Sequence, residues 1–340
     1  MSTNPTVNTV PAPSPAMPRD EDLYCVVGPE LHLVAARPRG ADRIDFEVLD
    51  DRETCLGSVR AGTFPGGVEL VPDGALRGSA ATTIAEAVRL AVRTAAKAFR
   101  DGLGEWRLNV PEPLGAALLP LLSEEGFEPA ASGGLRSTRR DFTRGAERAD
   151  SMEGVYEDPY TVPWNFVPLE ADVLDRLTAV APPGARVLDL GCGYGKNARR
   201  LTGAGYRVAG ADISASAVAR ARRLVGPEVP LVAADATELP WPDASFDVAL
   251  DIGCLHCMPA GDRPAAAREL ARVLTGEGVL CSRMFLPRPA GWVAAQPFRT
   301  TEFGLTAEEA AALLGSAFAW VELERTDEAT YLVARGPVQR

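Results

Sequence analysis

The segment that most constrains this chain is "VLDLGCGYGKNARRL", Val187 to Leu201. An apolar run carries an acid near its end, three glycines follow at alternate positions, and a helix-forming stretch comes next. Strand, tight turn and helix in that order belong at the carboxyl edge of an open parallel sheet, where the turn faces a ligand crevice. Gly191, Gly193 and Gly195 let the backbone approach a ligand closely. The helix that follows points its free amides at the same place. From Ala185 onward strand and helix patterns alternate. "ARVLDLG", "YRVAGADI", "VPLVAAD", "FDVALDI", "GVLCSRMF", "FAWVELER" and "TYLVARG" read as seven strands, with helical stretches such as "SASAVARARRLV" and "RPAAARELARVL" between most of them. The expected class is α/β, with a doubly wound, largely parallel sheet in the C-terminal half.

Several ligands use such a loop, and the spacing separates them. The dinucleotide fingerprint is G-x-G-x-x-G, whereas here the pattern is G-x-G-x-G, with Lys196 where the third glycine would fall. There is no GK[ST] for a nucleoside triphosphate. Asp189, two residues before Gly191, repels a pyrophosphate and suits an ammonium group. Asp212 ends the second strand, 19 residues after Gly193, where an acid can accept from both ribose hydroxyls. Asp235 ends the third strand, placed to accept from an adenine amino group, with the Ala236 amide nearby. Together these positions call for an adenosine whose 5′ substituent is cationic, and S-adenosylmethionine meets that demand.

With "VLDLGCGYG", "GADIS", "AADATELPWPDASFDVALD" and "RELARVLTGEGVL" in order, the chain from about Tyr156 to Gly336 resembles the class I S-adenosylmethionine-dependent methyltransferases. The resemblance implies a seven-stranded Rossmann-like methyltransferase sheet. It also implies a cofactor set of Trp164, Asp189, Gly191, Gly193, Asn197, Asp212, Ile213, Asp235, Ala236 and Asp251. The stretch "DIGCLHCM", Asp251 to Met258, with the "PW" of "YEDPYTVPWNF" upstream, resembles the thiopurine/tellurite methyltransferase-like group. That group implies a small-molecule acceptor, often a soft nucleophile, with sulfur, nitrogen or oxygen as the atom alkylated. Tyr156, Tyr160, Cys254 and His256 are the expected acceptor contacts, and Trp164, Tyr156 and Tyr160 an aromatic lid beside a sulfonium.

Methyl transfer is an in-line displacement at an already activated carbon, so proximity and orientation do most of the work. A hydroxyl or protonated amine also needs a base. His256, with its ordinary pKa, is the candidate. Asp251 is the second catalytic candidate, holding the cofactor's ammonium or the acceptor. A second reading of the Cys254–Cys257 stretch is a core histidine among buried thiols. Zinc is not expected, because a structural site needs four ligands, only His32 remains as a second histidine, and there is no second C-x-x-C. Redox use is disfavoured because the pair does not open a helix after a first strand. Two other uses of the same cofactor stay open: attack on a non-methyl carbon, by aminocarboxypropyl transfer or a cyclisation that releases methylthioadenosine, and binding without catalysis.

The N-terminal half reads differently. Residues 1–20 are rich in Pro, Ser, Thr and Asn and are expected to be a disordered tail. Residues 21–145 form a smaller α/β domain, 146–155 a linker, and 156–340 the methyltransferase domain. "RIDFEVLDD", "CLGSVRAGTF", "GVELVP" and "EWRLNV" are strand-like. "SAATTIAEAVRLAVRTAAKAFR" is a helix with a stripe at Ile84, Val88, Ala91 and Ala95 and a cap at Ser79 or Thr82. "PLGAALLPLLSEEGF" is a helix kinked at Pro120 and ended by Gly126. From Asp42 to Phe142 this is similar to a GNAT acetyltransferase core. Where that family has R-G-x-G-x-G/A around a pyrophosphate, this chain has Arg77 to Thr82, with Ala80 and Thr82 in place of glycines. Leu122 stands where the family often has its tyrosine acid. The resemblance therefore implies a GNAT-like accessory domain without acetyltransferase activity, one that positions substrate, covers the site or mediates a homodimer. A bifunctional acetyl- and methyltransferase is the remaining reading.

Composition limits the partners. The net charge is −11 over 340 residues, which opposes nucleic acid phosphates and anionic lipid. "RSTRRDFTR", Arg136 to Arg144, is the densest basic stretch; it leaves a local basic groove open and reads first as a solvated or interdomain strand. No apolar run nears the ~18 residues of a spanning helix, and no leader pattern is visible, so a cytoplasmic enzyme is expected. The six cysteines are scattered in apolar context and read as free thiols.

Overall fold

A computed structural model of the chain describes residues 7–9, 23–36, 42–99, 104–138, 151–166, 171–289, 293 and 303–338, with 51, 53 and 161 excepted. The chain forms two compact units. One comprises residues 1–17, 148–157 and 172–340, the other 18–147 and 158–171. The expected boundary near 156 is thus crossed more than once, and residues 158–171 group with the smaller unit.

In the smaller unit eight strands lie in the order Leu23–Val27, His32–Ala36, Arg43–Leu49, Cys55–Phe64, Gly67–Pro72, Glu105–Leu108, Leu135–Ser137, Glu128–Pro129. All neighbours are antiparallel except Gly67–Pro72 and Glu105–Leu108, which run parallel. The helix Ala81–Ala98 makes that crossover, as a parallel pair requires. Its stripe of Ile84, Val88, Ala91 and Ala95 is buried in a core with Phe46, Val59, Leu70 and Trp106. The helix is not capped by Ser79 or Thr82. Ala80 is the cap residue and offers no side chain, because the preceding turn Leu76–Gly78 is wound around the Asp73 carboxylate instead. The second helix, Leu114–Leu122, contains Pro120, tightens at Ser123–Glu125 and stops at Gly126 in the left-handed conformation. Of the basic stretch, Leu135–Ser137 is strand, with Arg136 ion-paired to Glu128 at 2.8 Å. Residues 139–144 lie outside the described residues.

Residues 158–166 join this unit through Asn165. Its side chain accepts from Val27 N at 3.0 Å and donates to Val27 O at 2.7 Å and to Pro159 O at 3.1 Å. Asn165 is fully buried. One side-chain amide thus satisfies a donor and an acceptor on the edge strand that would otherwise be lost from water.

In the larger unit the order is Val7–Thr9, Phe318–Arg325, Ala329–Pro337, Leu274–Phe285, Phe246–Ile252, Arg186–Leu190, Arg207–Asp212, Leu231–Ala233. Ala329–Pro337 is antiparallel to both neighbours, and every other pairing is parallel. Alternation along the strands explains why helices cover both faces. Leu188, Leu190, Ala209 and Ala249 pack with the helices Arg263–Val273 and Ala307–Gly315. Val187, Val208, Val248 and Leu250 pack with Leu177, Ala198, Leu201, Val218 and Ala221 on the opposite side. The sheet has eight strands rather than seven. Val7–Thr9, inside the stretch expected to be a disordered tail, pairs in parallel with Val321–Leu323. The end of the expected linker is also ordered, since Met152–Glu157 is helical.

Candidate active site

The central strand Arg186–Leu190 leads into the glycine loop. Gly191, Gly193 and Gly195 all have positive φ, at 68°, 51° and 77°, which side chains disfavour. What the missing side chains make room for differs from the sequence reading. A Cβ at Gly191 would lie 2.6 Å from Cys254 Cβ, and one at Gly195 2.9 Å from Ala221 Cβ. Those two glycines admit the protein's own packing. Only at Gly193 is the neighbour a polar tip, Tyr156 Oη at 3.0 Å. Gly195 precedes the helix Lys196–Gly203, and Asn197 is half-buried in its first turn. The next amide, Ala198 N, bonds the Asp189 carboxylate, so part of the helix's amino end is turned inward.

Three carboxylates gather where the three central strands end. Asp189 is 1% exposed and Asp251 is fully buried. Burial pushes Asp189 up to about 7, helped by the negative charges of Asp212 and Asp251. Its Oδ2 has no hydrogen-bond partner among the described residues. Asp212 is also raised by burial, against the pull of backbone amides. Its Oδ2 accepts from Gly193 N at 2.8 Å and its Oδ1 from Ser214 N at 2.9 Å. The acid predicted to meet a ribose is therefore also what locks the glycine loop to the second strand.

Beside Asp212, Ile213 is 61% exposed. It and Val338 are the large apolar side chains left in the open among the described residues. After the third strand Asp235 is exposed and folds back on itself, its Oδ1 accepting from Thr237 N at 2.8 Å and Thr237 Oγ1 at 2.7 Å. These bonds hold its carboxyl below the usual range. Ala236 is buried next to it. Arg272 secures this loop in a way the sequence reading missed. Its guanidinium donates to Leu239 O at 3.0 Å, Trp241 O at 2.8 Å and Asp243 Oδ1 at 2.9 Å. Glu269, one turn earlier, accepts from Arg272 and from Leu239 N. The signal was present as an acid and a base three apart in "RELARVL".

The Asp251–Met258 loop departs most from expectation. Asp251 Oδ1 accepts from Cys254 N at 2.9 Å and Leu255 N at 3.2 Å, and its Oδ2 from Ser282 Oγ at 2.6 Å. Burial lifts it to about 6 despite those bonds. Through these bonds it organises the turn Leu255–Cys257. His256 is 1% exposed and meets Phe285 and Phe303 edge-on, each ring centroid 5.0 Å away. Burial, with Arg283, Arg263 and Arg288 adding positive charge, drives its pKa down to about 3. At that value the imidazole is neutral at physiological pH and a weaker base than an ordinary histidine. Its Nδ1 has no partner among the described residues. The core-histidine reading describes this side chain. Cys254 sits against Gly191, and burial raises its thiol well above the usual range. Cys257 is pushed up to about 12 for the same reason. Among the described residues no group of three or more His, Cys, Asp or Glu is placed to hold a metal ion.

Of the expected aromatic lid, only Tyr156 belongs to this unit. It is 6% exposed and packs edge-on against Tyr194 at 5.1 Å, while Tyr194 Oη donates to Tyr156 O at 3.0 Å. Tyr160 and Trp164 fall in the smaller unit. Tyr160 packs on that unit's core with the Arg93 guanidinium 4.8 Å above its ring, and Trp164 lies in the short turn Pro163–Phe166. Asn165, next to Trp164, bonds the Val27 strand edge of the same unit.

Sheet order, glycine loop and strand-end acids define a Rossmann-like unit whose crevice is acidic. Residues 187–278 match a family model described as a methyltransferase domain. The 27-O-demethylrifamycin SV methyltransferase of Amycolatopsis mediterranei (strain S699) is 43% identical over 140 residues, 38% of this chain and 50% of that protein. The 2-methyl-6-phytyl-1,4-hydroquinone methyltransferase of Synechocystis sp. (strain ATCC 27184 / PCC 6803 / Kazusa) is 37% identical over 135 residues, 37% of this chain and 42% of that protein. The chain thus spans about half the length of these curated relatives or less. Among solved structures, the Burkholderia thailandensis 1,6-didemethyltoxoflavin-N1-methyltransferase is 21% identical with a TM-score of 0.39, covering 49% of this chain and 78% of that one.

Proposed function

We propose that this protein is an S-adenosylmethionine-dependent methyltransferase that alkylates a small-molecule nucleophile. The observation that carries the reading is the buried carboxylate group at the strand ends. Asp189 has an oxygen without a partner among the described residues and a pKa raised to about 7, with Asp212 and Asp251 repelling it. A ligand that brings positive charge relieves that repulsion, and S-adenosylmethionine carries both a sulfonium and an ammonium. Asp212 keeps lone pairs for the ribose beyond its two amide bonds. Ile213, exposed beside it, offers an apolar face for the adenine, and Asp235 and Ala236 its polar edge. Glycines 191 and 193 and Asn197 complete the loop side.

The state of His256 narrows the acceptor. A histidine with a pKa of about 3 takes no proton from a neutral hydroxyl at physiological pH. With His256 buried between Phe285 and Phe303 and its pKa lowered, an acceptor that presents its own ionised or lone-pair nucleophile fits this reading best: a thiolate, an acidic phenol or hydroquinone, or a neutral amine. The names of the relatives, an O-demethylated rifamycin and a hydroquinone, are compatible with an acceptor of secondary metabolism. The soft-nucleophile preference of the thiopurine/tellurite-like group fits the same restriction. The acidic chain favours a small acceptor over nucleic acid or a lipid surface.

The smaller unit is read as a GNAT-like accessory domain without acetyltransferase activity, positioning substrate or joining two copies. Its parallel strand pair bridged by Ala81–Ala98 supports the likeness. Its loop supports the loss of activity. Leu76 N donates to Asp73 Oδ1 at 2.8 Å, Arg77 N to Asp73 O at 3.0 Å, Gly78 N to Ala75 O at 3.0 Å and Ser79 N to Leu76 O at 2.9 Å. The amides of Arg77, Gly78 and Ser79, the first half of the motif, are thus used within the turn.

The test is calorimetric titration with S-adenosylmethionine, followed by mass spectrometry of products formed from labelled cofactor with candidate thiols, phenols and amines. S-adenosylhomocysteine among the products marks methyl transfer, and methylthioadenosine marks attack at another carbon. No heat and no thermal shift at millimolar cofactor would end the proposal.

A further inference from the structure

The helix Met152–Glu157 is six residues long, and helices that short do not persist in water on their own propensity. It is held by what it touches. Val155 and Tyr156 are buried. Glu153 reaches the first turn of the helix Ala215–Val225, where its Oε1 accepts from Ser216 N at 3.2 Å and from Ser216 Oγ at 2.5 Å. Ser214, which caps that helix by accepting from Ala217 N at 3.0 Å, also bonds Glu153. Arg220, on the same helix, donates to Glu157 O at 3.2 Å. These bonds keep the Glu153 carboxyl below its ordinary pKa, so it meets the positive end of the helix as an anion.

The fastening points coincide with the elements that bear the cofactor side of the site. Tyr194, which holds Tyr156, lies in the glycine loop. Ser216 follows Asp212 by four positions. Those two elements are themselves tied by the Gly193 N bond to Asp212. The helix therefore spans the loop and the ribose acid, with the Tyr156 hydroxyl against Gly193.

We propose that Glu153 is the latch of a cofactor lid: a positioning residue whose contact with the amino end of the Ala215–Val225 helix keeps Tyr156 over Gly193 and sets how long the nucleoside cofactor stays bound. The inference rests on the methyltransferase reading above. It assigns a function to an acid inside the stretch that read as linker.

The experiment is surface plasmon resonance of S-adenosylhomocysteine on the immobilised full chain, comparing wild type with Glu153→Ala, Glu153→Gln, Ser216→Ala and the double variant Glu153→Ala/Ser216→Ala. Loss of a helix-end partner of this kind predicts a dissociation rate faster by on the order of tenfold in Glu153→Ala. The association rate constant should stay the same or rise. Glu153→Gln, which still accepts from Ser216 but lacks the charge, should fall between. The double variant should dissociate no faster than Glu153→Ala, because both changes break one contact. If Glu153→Ala loses the fold, Ser216→Ala reads the same contact through one donor and must still quicken dissociation. Unchanged dissociation in the folded variants, or additive effects in the double variant, overturns the latch alone. A wild type that binds no S-adenosylhomocysteine overturns the methyltransferase reading, and the latch with it.

Discussion

Replacing Asp189 by Asn should make the cofactor-free protein more stable and the cofactor complex weaker. Asp189 is buried and its carboxyl is moved from 3.8 to about 7, first by burial and then by Asp212. A carboxyl whose pKa is higher folded than unfolded binds protons preferentially in the native state between those two values. Its stabilising effect is complete below pH ~4 and is lost as pH rises through ~7. A pKa difference of about 3 corresponds to about 4 kcal/mol lost by pH 8. Asparagine carries no charge and escapes that loss. Its amide nitrogen, in place of the partnerless Oδ2, costs about 1–3 kcal/mol if it also finds no partner. The net expectation at pH 8 is a gain of roughly 1–3 kcal/mol, shrinking or reversing at pH 5. Urea unfolding without ligand at both pH values reads this directly. Calorimetry should show S-adenosylmethionine affinity falling on the order of ten- to a hundredfold, the usual cost of losing a hydrogen bond to a charged group. In wild type near pH 7, cofactor binding should release protons, visible as a dependence of the heat on buffer ionisation enthalpy. An Asn variant that is no more stable than wild type at pH 8, with the same pH slope, would refute the reasoning.

Asp212→Ala should weaken cofactor binding on the order of a hundredfold, since it leaves both ribose hydroxyls and the Gly193 amide without their acceptor; unchanged affinity in calorimetry would contradict that placement. His256→Phe should leave the rate of methyl transfer to a thiol within a fewfold of wild type, and the wild-type pH–rate profile should lack a step near the ordinary histidine value; a step that disappears on substitution would restore the base. Ile213→Asp, at a site 61% exposed, should lower cofactor affinity while the melting temperature without ligand barely moves, because exposed substitutions cost within about 0.5 kcal/mol. A matching fall in melting temperature would assign Ile213 to packing instead.

Much of the crevice was legible because its signals are local. A strand, a glycine turn and a helix lie within fifteen residues, and a parallel strand covered on both faces announces itself by a near-continuous apolar run. Asp189, Asp212 and Asp235 stand at strand ends by position in the sequence alone. The partners of Asp251, His256 and Asn165 were not legible. Each is distant along the chain: Ser282 is 31 residues from Asp251, Phe303 packs edge-on against His256, and Val27 is 138 residues from Asn165. Glu153 read as linker because nothing near it in sequence hints at Ser216, 63 residues on.

By itself, then, the order of residues determined an α/β sheet with a glycine loop and acids at its carboxyl edge. Periodicity and backbone preference act over a few residues and need no partner to be read. Tertiary structure alone decided which of those acids keeps an oxygen without a hydrogen-bond partner among the described residues, and that the histidine is buried among aromatic rings and arginines that lower its pKa. Desolvation and charge at close range are properties of the folded surroundings, and no window of sequence contains them.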